Sequence, residues 1–399
     1  MVDDPQSLIA RDPKTLKEKQ NIDVELFHEV KEIDLKQGRL LIESLNESAR
    51  RWEHFDKLMI STGAVPLKPP VEGIESRGVF GVDTLQSGLE LIRYIEEVRP
   101  EKVVVIGGGY IGLEMAENLL IRGMEVSLVE RAPEVMGTLD SDMGALVSEA
   151  LEEMGVHLFR KESLTGLETK NGRVYGVKTD KRTLQADLVI LGIGVKPNTG
   201  LAAEAGIDIG HSGAMAVDDT MRTSAENVWA GGDCAESFHL ISRKMVNIAL
   251  GTVANRHGRV AGTNIGGGYA AFPGLVGTAV SKVCSLEVAR TGLQEKEIAQ
   301  TGREYVAAVA ESTTRAGYYP KAGPISVKIL AEKGSGRLLG GQIVGKEGAA
   351  KRIDILATAL QAGFTLEEVA DIDLSYAPPY SPVWDPVAIA ARVAMKKLR

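Results

Sequence analysis

The sequence has 399 residues, of which 44% are hydrophobic and 25% charged, the profile of a soluble globular protein with room for two or three domains. Its formal net charge is −8, with acids and bases interspersed, which argues against nucleic-acid partners and offers no basic face to a membrane. The two cysteines, Cys234 and Cys284, lack CxxC spacing and the histidines form no ligand cluster, so neither a disulfide framework nor a metal site is expected.

The opening stretch, MVDDPQSLIARDPK, has no apolar signal-peptide core, and no run is long enough to cross a bilayer, so the expected compartment is the cytoplasm. Asp12 and Pro13 predict a helix start ahead of KTLKEKQ. Short strands follow: IDVELF, a hairpin pivoting at Lys36-Gln37-Gly38-Arg39, and DKLMISTGAVP. VFGVDTLQSGLELIRYIEEVRP carries apolar residues at helical spacing and predicts a connecting helix that stops at Pro100.

Residues 102–131, KVVVIGGGYIGLEMAENLLIRGMEVSLVER, organise the rest. An apolar run reads as a buried parallel strand and leads into Gly107, Gly109 and Gly112 at G-x-G-x-x-G spacing, opening a helix. The first glycine permits the turn, the second a close backbone approach to a pyrophosphate, and the third close helix-on-strand packing. The helix N-terminus then faces phosphates, and Glu130, ending a second strand, is placed to accept hydrogen bonds from ribose hydroxyls. The plainer alternative is a glycine-rich turn of another βαβ unit.

Further on, Thr223, Ala230, Gly232 and Asp233 stand in the order T-x6-A-x-G-D. NVWA reads as a short strand, and Asp233 either points its carboxylate at a polyol or merely caps a helix. From Phe272 alternating strands with a Gly-Ser-Gly turn give way to helices, an α+β unit.

The chain also repeats itself. Val24-Glu25-Leu26-Phe27 matches Val156-His157-Leu158-Phe159, the Lys36 turn matches Lys170-Asn171-Gly172-Arg173, and DKLMISTGAVP matches DLVILGIGVKP. The offset is near constant at about 132 residues, which implies two copies of one supersecondary unit. The second copy has about 53 residues between Lys102 and Gly155, and the first only about 20 before its matching point. Its glycine loop is therefore expected to be lacking upstream of Met1.

With these motifs the chain resembles the flavin-dependent pyridine nucleotide-disulfide oxidoreductases, most closely the coenzyme A-disulfide reductase and NADH oxidase branch. The resemblance implies an α/β fold of two nested dinucleotide-binding (Rossmann-like) domains, the first incomplete, plus a C-terminal α+β dimerisation domain. The implied boundaries are 1–98 with 217–270 for FAD, 99–216 for NAD(P)H and 271–399 for dimerisation. STGAVP, with Thr62 and Gly63, would close the flavin domain, and ILGIGVKPN, with Gly194, the nucleotide domain. Gly232 and Asp233 would hold the flavin ribitol, and the helix beginning near Ala254 would aim its N-terminus at the flavin ring. Tyr110 would gate nicotinamide from isoalloxazine, with Glu114 close to the nicotinamide.

Tyr318 and Tyr376 match the family's tyrosines that reach the partner subunit's redox centre, with packing as the alternative and Tyr319 and Tyr380 as competing neighbours. The family's glycine-rich loop near the N-terminus and its exchange cysteine are not matched. Cys284 reads as a buried hydrophobe in an alternating strand, and Cys234 as cofactor packing at a helix start. The implied activity is electron transfer from NADH, with NADPH as the alternative, through FAD to a small-molecule disulfide such as coenzyme A disulfide, or to oxygen. Persulfide or polysulfide reduction is the nearest alternative, and a non-catalytic nucleotide-binding dimeric remnant is the alternative of another class. A homodimer is expected. The chain from Met1 is expected to hold FAD poorly and to lack disulfide reductase activity.

Overall fold

A computed structural model describes residues 5–398. It divides into two compact units, one from residues up to 64 with 197–237 and 246–273, the other from 65–196, 238–245 and 274 onward.

The larger unit holds two five-stranded sheets. The first is parallel, in the order Val79–Gly81, Leu188–Leu191, Lys102–Ile106, Glu125–Glu130, His157–Arg160. Residues 103–106 are buried on both faces, which is why this strand reads as an unbroken apolar run. Its register sets Ile106 level with Val129 on one side and Leu191 on the other, so three strand ends meet where the glycine loop begins. The connecting helix runs Leu85–Val98, capped by Thr84 and closed by Arg99 in the left-handed region, just before Pro100. An antiparallel side sheet turns at Asn171 and Gly172, both at positive φ (+52° and +74°), the conformation of a tight hairpin turn.

The second sheet is antiparallel, in the order Ala279–Val283, Leu286–Gly292, Leu338–Gly345, Pro324–Glu332, Tyr305–Thr313. Helices Ala349–Ala362 and Pro386–Leu398 cover it with the largest apolar core, including Ile329, Ile343, Ile353 and Leu356. Strands followed by helices match the expected α+β unit.

The smaller unit contains the helix Pro13–Gln20, whose N-cap Asp12 accepts from the Thr15 N–H at 2.9 Å, and an antiparallel sheet of His28–Asp34, Arg39–Ser44 and Arg50–His54. Leu58–Ile60 pairs in parallel with Val228–Ala230, the expected NVWA strand. In both repeat copies the closing segment breaks at a glycine of positive φ: Gly63 at +67° and Gly194 at +100°.

Three local expectations are corrected. IDVELF is no strand; the strand starts at His28, and Ile22, Val24, Leu26 and Phe27 are exposed. Among the described residues no strand pairs with this segment, whereas its repeat counterpart His157–Arg160 hydrogen-bonds to Glu125–Glu130. Second, Cys284 lies in the turn between Ala279–Val283 and Leu286–Gly292, at φ +54°, half-buried. Third, Asp233 and Cys234 lie in a turn after Val228–Ala230, so Asp233 caps no helix and Cys234 starts none.

Candidate functional site

The glycine loop leaves no slack. Gly107 stands at φ +97°, and a Cβ there would lie 2.6 Å from the Gly192 carbonyl oxygen. A Cβ on Gly112 would lie 1.9 Å from the Gly107 oxygen, so only a bare backbone lets this helix reach the strand. At Gly109 the nearest atom to such a Cβ is 3.7 Å away. Gly109 is also the N-cap of helix Tyr110–Ile121 and brings no side chain to its first N–H groups. Uncapped N–H groups beside open space fit an anionic pyrophosphate.

The Glu130 carboxylate accepts from the Gly108 N–H at 2.7 Å and the Ala132 N–H at 2.6 Å. It therefore fixes the loop as well as facing the site, and each oxygen keeps a lone pair for a ribose hydroxyl. Tyr110 and Glu114 are four residues apart on one helix face. The Thr138 hydroxyl donates to Tyr110 Oη at 3.2 Å, and the Ser281 hydroxyl to Glu114 at 3.3 Å. Sequence reasoning missed Gly108, whose Cβ would lie 2.7 Å from Val135, and Gly192, whose Cβ would lie 2.8 Å from the Gly112 Cα. The glycine spacing of LGIG after an apolar run was the available signal for Gly192.

The segment beyond Glu130 is tethered to the antiparallel sheet. Asp140 and Asp142, flanking the start of helix Ser141–Met154, converge with Glu295 on Lys328, which is 2% exposed. The ammonium lies 3.1 Å from Asp140, 2.7 Å from Asp142 and 2.5 Å from Glu295. Burial opposes its charge, but hydrogen bonds to Asp142 and Glu295 and the field of Asp140 outweigh that and raise its pKa. The three carboxylates are close enough to share a metal ion, yet the lysine already supplies their cation. Gln342 completes the network through a mutual pair of hydrogen bonds with Asp140.

In the smaller unit, Gly232 (φ +83°) turns the chain out of Val228–Ala230 beside Ala254, in the first turn of helix Gly251–Ile265. The Asp233 carboxylate is half-buried without a hydrogen bond or ion pair among the described residues, and burial raises its pKa. Its backbone carbonyl is held by Asn247 at 2.8 Å. A desolvated carboxylate short of donors, next to a helix N-terminus with no side-chain cap, fits a polyol whose hydroxyls would donate. The Gly232 N–H donates to His257 Nδ1 at 3.3 Å, leaving Nε2 to donate to the Ser237 hydroxyl at 3.1 Å. Burial, then Arg256, lowers the His257 pKa to about 4, so this ring is neutral at pH 7. His257 carried no assigned role in the sequence reading. Thr62 donates to the Asn198 carbonyl at 2.5 Å, and Asn198 N–H donates to the Gly63 carbonyl at 2.9 Å.

Neither thiol is poised for exchange. Cys234 is fully buried with Sγ directed at the Gly231 carbonyl at 3.3 Å. Burial and then Glu117 push the Cys284 thiol up to about 11. The Tyr318 side chain raises the Tyr376 pKa, and both tyrosines are exposed. Tyr319 is half-buried, while Tyr380 stands exposed with Val383 and Trp384.

The family model of the pyridine nucleotide-disulphide oxidoreductases matches residues 3–258, and that of their dimerisation domain matches residues 278–387. The chain belongs to this family. It is 39% identical over 390 residues to an NAD(P)H coenzyme A polysulfide/persulfide reductase of Pyrococcus horikoshii, covering 98% of this chain and 86% of the relative. It is 28% identical over 382 residues to a coenzyme A disulfide reductase of Staphylococcus aureus, covering 96% and 85%. A solved NAD-dependent persulfide reductase from A. fulgidus superposes with a TM-score of 0.96 at 41% identity, over 99% of this chain and 74% of that one. As a pyridine nucleotide-disulphide oxidoreductase the protein is an FAD- and NAD(P)H-dependent enzyme. Among the described residues, no helix is long and apolar enough to cross a membrane.

Proposed function

We propose that the protein passes electrons from NADH through FAD to a sulfur acceptor, a coenzyme A disulfide, persulfide or polysulfide. The observation that carries this reading is the unpaired, half-buried Asp233 beside an uncapped helix start, in a chain that also builds an open glycine loop. The names of its relatives support the acceptor class. In this reading residues 1–98 and 217–270 form the flavin domain, 99–216 the nucleotide domain and 271–399 a dimerisation domain.

FAD, when bound, supplies the step that takes a hydride from the nicotinamide and releases electrons to the acceptor. The chain's own groups bind and orient. N–H groups at the start of helix Tyr110–Ile121 hold the dinucleotide pyrophosphate, and Glu130 accepts from the adenosine ribose. Its carboxylate repels a 2′-phosphate, which favours NADH, although exposed Arg131 beside it partly accommodates one. Asp233 and Gly232 hold the ribitol, with Thr62, Gly63 and Ala254 shaping the remaining flavin contacts, while Gly194 serves the nucleotide domain. The interacting tyrosines Tyr318 and Tyr376 act at the partner subunit's centre in a homodimer, where one hydroxyl can hand a proton to the departing sulfur. Cys234 and Cys284 take no part in exchange.

A second reading, transfer to oxygen, is favoured by the absence of a poised thiol at either cysteine and by relatives named NADH oxidase. Anaerobic NADH oxidation with coenzyme A persulfide or coenzyme A disulfide, set beside the aerobic rate, separates the two. A larger kcat/KM with a sulfur acceptor supports the first reading; turnover with oxygen alone overturns it. Asp233→Ala is expected to weaken flavin retention about tenfold, or about 1.4 kcal/mol, by absorbance after gel filtration. Tighter NADPH than NADH binding would show that Arg131 governs the cofactor choice.

A further inference from the structure

A cavity of about 380 Å³ lies in the larger unit and shares no lining residue with the glycine loop or with Tyr318 and Tyr376. Its floor is apolar: Leu338, Leu339 and Leu360 are buried, and Leu240 and Ile241 half-buried. Three guanidinium side chains, Arg243, Arg303 and Arg337, complete the lining. Their charges are largely unmet. Arg337 makes no guanidinium hydrogen bond or ion pair among the described residues, and Arg243 meets only the Phe238 ring, 5.3 Å away. Arg303 donates to the Ile241 carbonyl at 3.2 Å, and its carboxylate partner Glu332 stands at 3.9 Å, the outer limit of an ion pair.

Besides Glu332, two further groups oppose this excess. Gly363, at the C-terminus of helix Ala349–Ala362, brings that helix's partial negative charge of about one half to one wall. Glu368 feels Arg337, but its carboxylate is held by the Thr365 N–H at 2.7 Å and hydroxyl at 2.9 Å. After both, the cavity stays positive in a chain of net charge −8.

We propose that this cavity binds a small phosphomonoester carrying a compact apolar group. A guanidinium fork matches two phosphate oxygens at once, and several forks favour a group of charge near −2, about what a phosphomonoester carries at pH 7. The leucine floor takes the apolar part, and the volume falls in the range of small-ligand sites. This site is independent of the electron-transfer reading.

Isothermal titration of the full chain, with saturating NADH present to fill the glycine loop, tests it with phenyl phosphate, inorganic phosphate and benzoate as probes. Phenyl phosphate is expected to bind at one per chain, at least about tenfold tighter than either other probe, and to weaken with salt. Arg337→Leu, an exposed position, is expected to weaken it about tenfold with the NADH titration unchanged. Arg243→Ser serves as the second exposed variant, so the test does not hang on one fold. No saturable binding at millimolar probe, an affinity less than about threefold changed in both variants, or inorganic phosphate and phenyl phosphate binding alike would each overturn the proposal.

Discussion

Two copies of one supersecondary unit lie in this chain, and where they differ shows which features are local and which need neighbours. Both make the three-stranded antiparallel sheet, both turn its first hairpin through a glycine of positive φ, Gly38 and Gly172, and both break the closing strand at a glycine, Gly63 and Gly194. Those features depend on the backbone freedom of one or two residues and recur wherever the residues do. The segment ahead of the sheet behaves otherwise. Residues 156–159 enter a strand because Glu125–Glu130 offers its edge, while residues 24–27 carry the same apolar pattern and stay irregular. Strand formation at that point belongs to the sheet rather than to the four residues.

The largest effect should come from the glycine loop of the second copy. Gly112→Ala puts a Cβ 1.9 Å from the Gly107 oxygen, a backbone clash no rotamer can relieve. NADH binding is expected to fall roughly a thousandfold, about 4 kcal/mol, by fluorescence titration. Gly123→Ala, at positive φ but facing open space, should leave binding within about twofold and cost only about 1 kcal/mol of stability. Equal losses in both variants would mean that strain, not helix approach, sets the requirement.

Acid should act on both units, since each buries one histidine. His257 in the smaller and His239 in the larger have pKa values lowered to about 4, in each case chiefly by burial. The unfolded rings titrate near 6.5, so between these values the unfolded chain binds protons that the folded chain refuses. Stability is full above 6.5 and is lost as pH falls through about 4, by up to about 3 kcal/mol for each ring. Urea midpoints from pH 7.5 to 4.5 should show this slope, and His257→Gln should flatten the part belonging to the smaller unit. An unchanged slope in that variant would assign the acid response to His239 alone. Asp233 has the opposite sign. Its raised pKa means that the folded state holds the proton more tightly, so its charge costs stability above the ordinary value of 3.8. Asp233→Asn should therefore raise the melting temperature of the ligand-free protein at pH 7, with the gain vanishing in acid.

Legibility followed sequence distance. Gly107, Gly109, Gly112 and Glu130 could be read because one strand, turn, helix and strand place them within a few turns of one another. Gly192 was missed although its LGIG spacing was visible, since its need to be glycine comes from contact with Gly112, far off in the chain. Lys328 and its carboxylates are up to 188 positions apart, and no periodicity announces a buried lysine on a strand that otherwise reads as core. The motif singled out Asp233 but could not tell a turn from a helix cap. Cys284 was misjudged because an alternating run hides a two-residue turn when no Gly or Asn marks it.

The smallest effect offers the sharpest comparison. Phe27 and Phe159 hold the same place in the two copies. Phe27 is 63% exposed and sits at φ +57°, a conformation that costs a bulky residue, so Phe27→Asn should be neutral or stabilising by about 0.5 kcal/mol. Phe159 pairs opposite Val129, packs on the core beneath the parallel sheet and lies 4.6 Å under the Arg182 guanidinium. Phe159→Asn should cost about 2 kcal/mol through lost apolar burial and the lost cation–π contact. Urea unfolding of the two single variants measures the difference directly. A cost above about 1 kcal/mol at Phe27 would mean that its ring is covered in the folded protein and that the first copy builds its strand in solution after all.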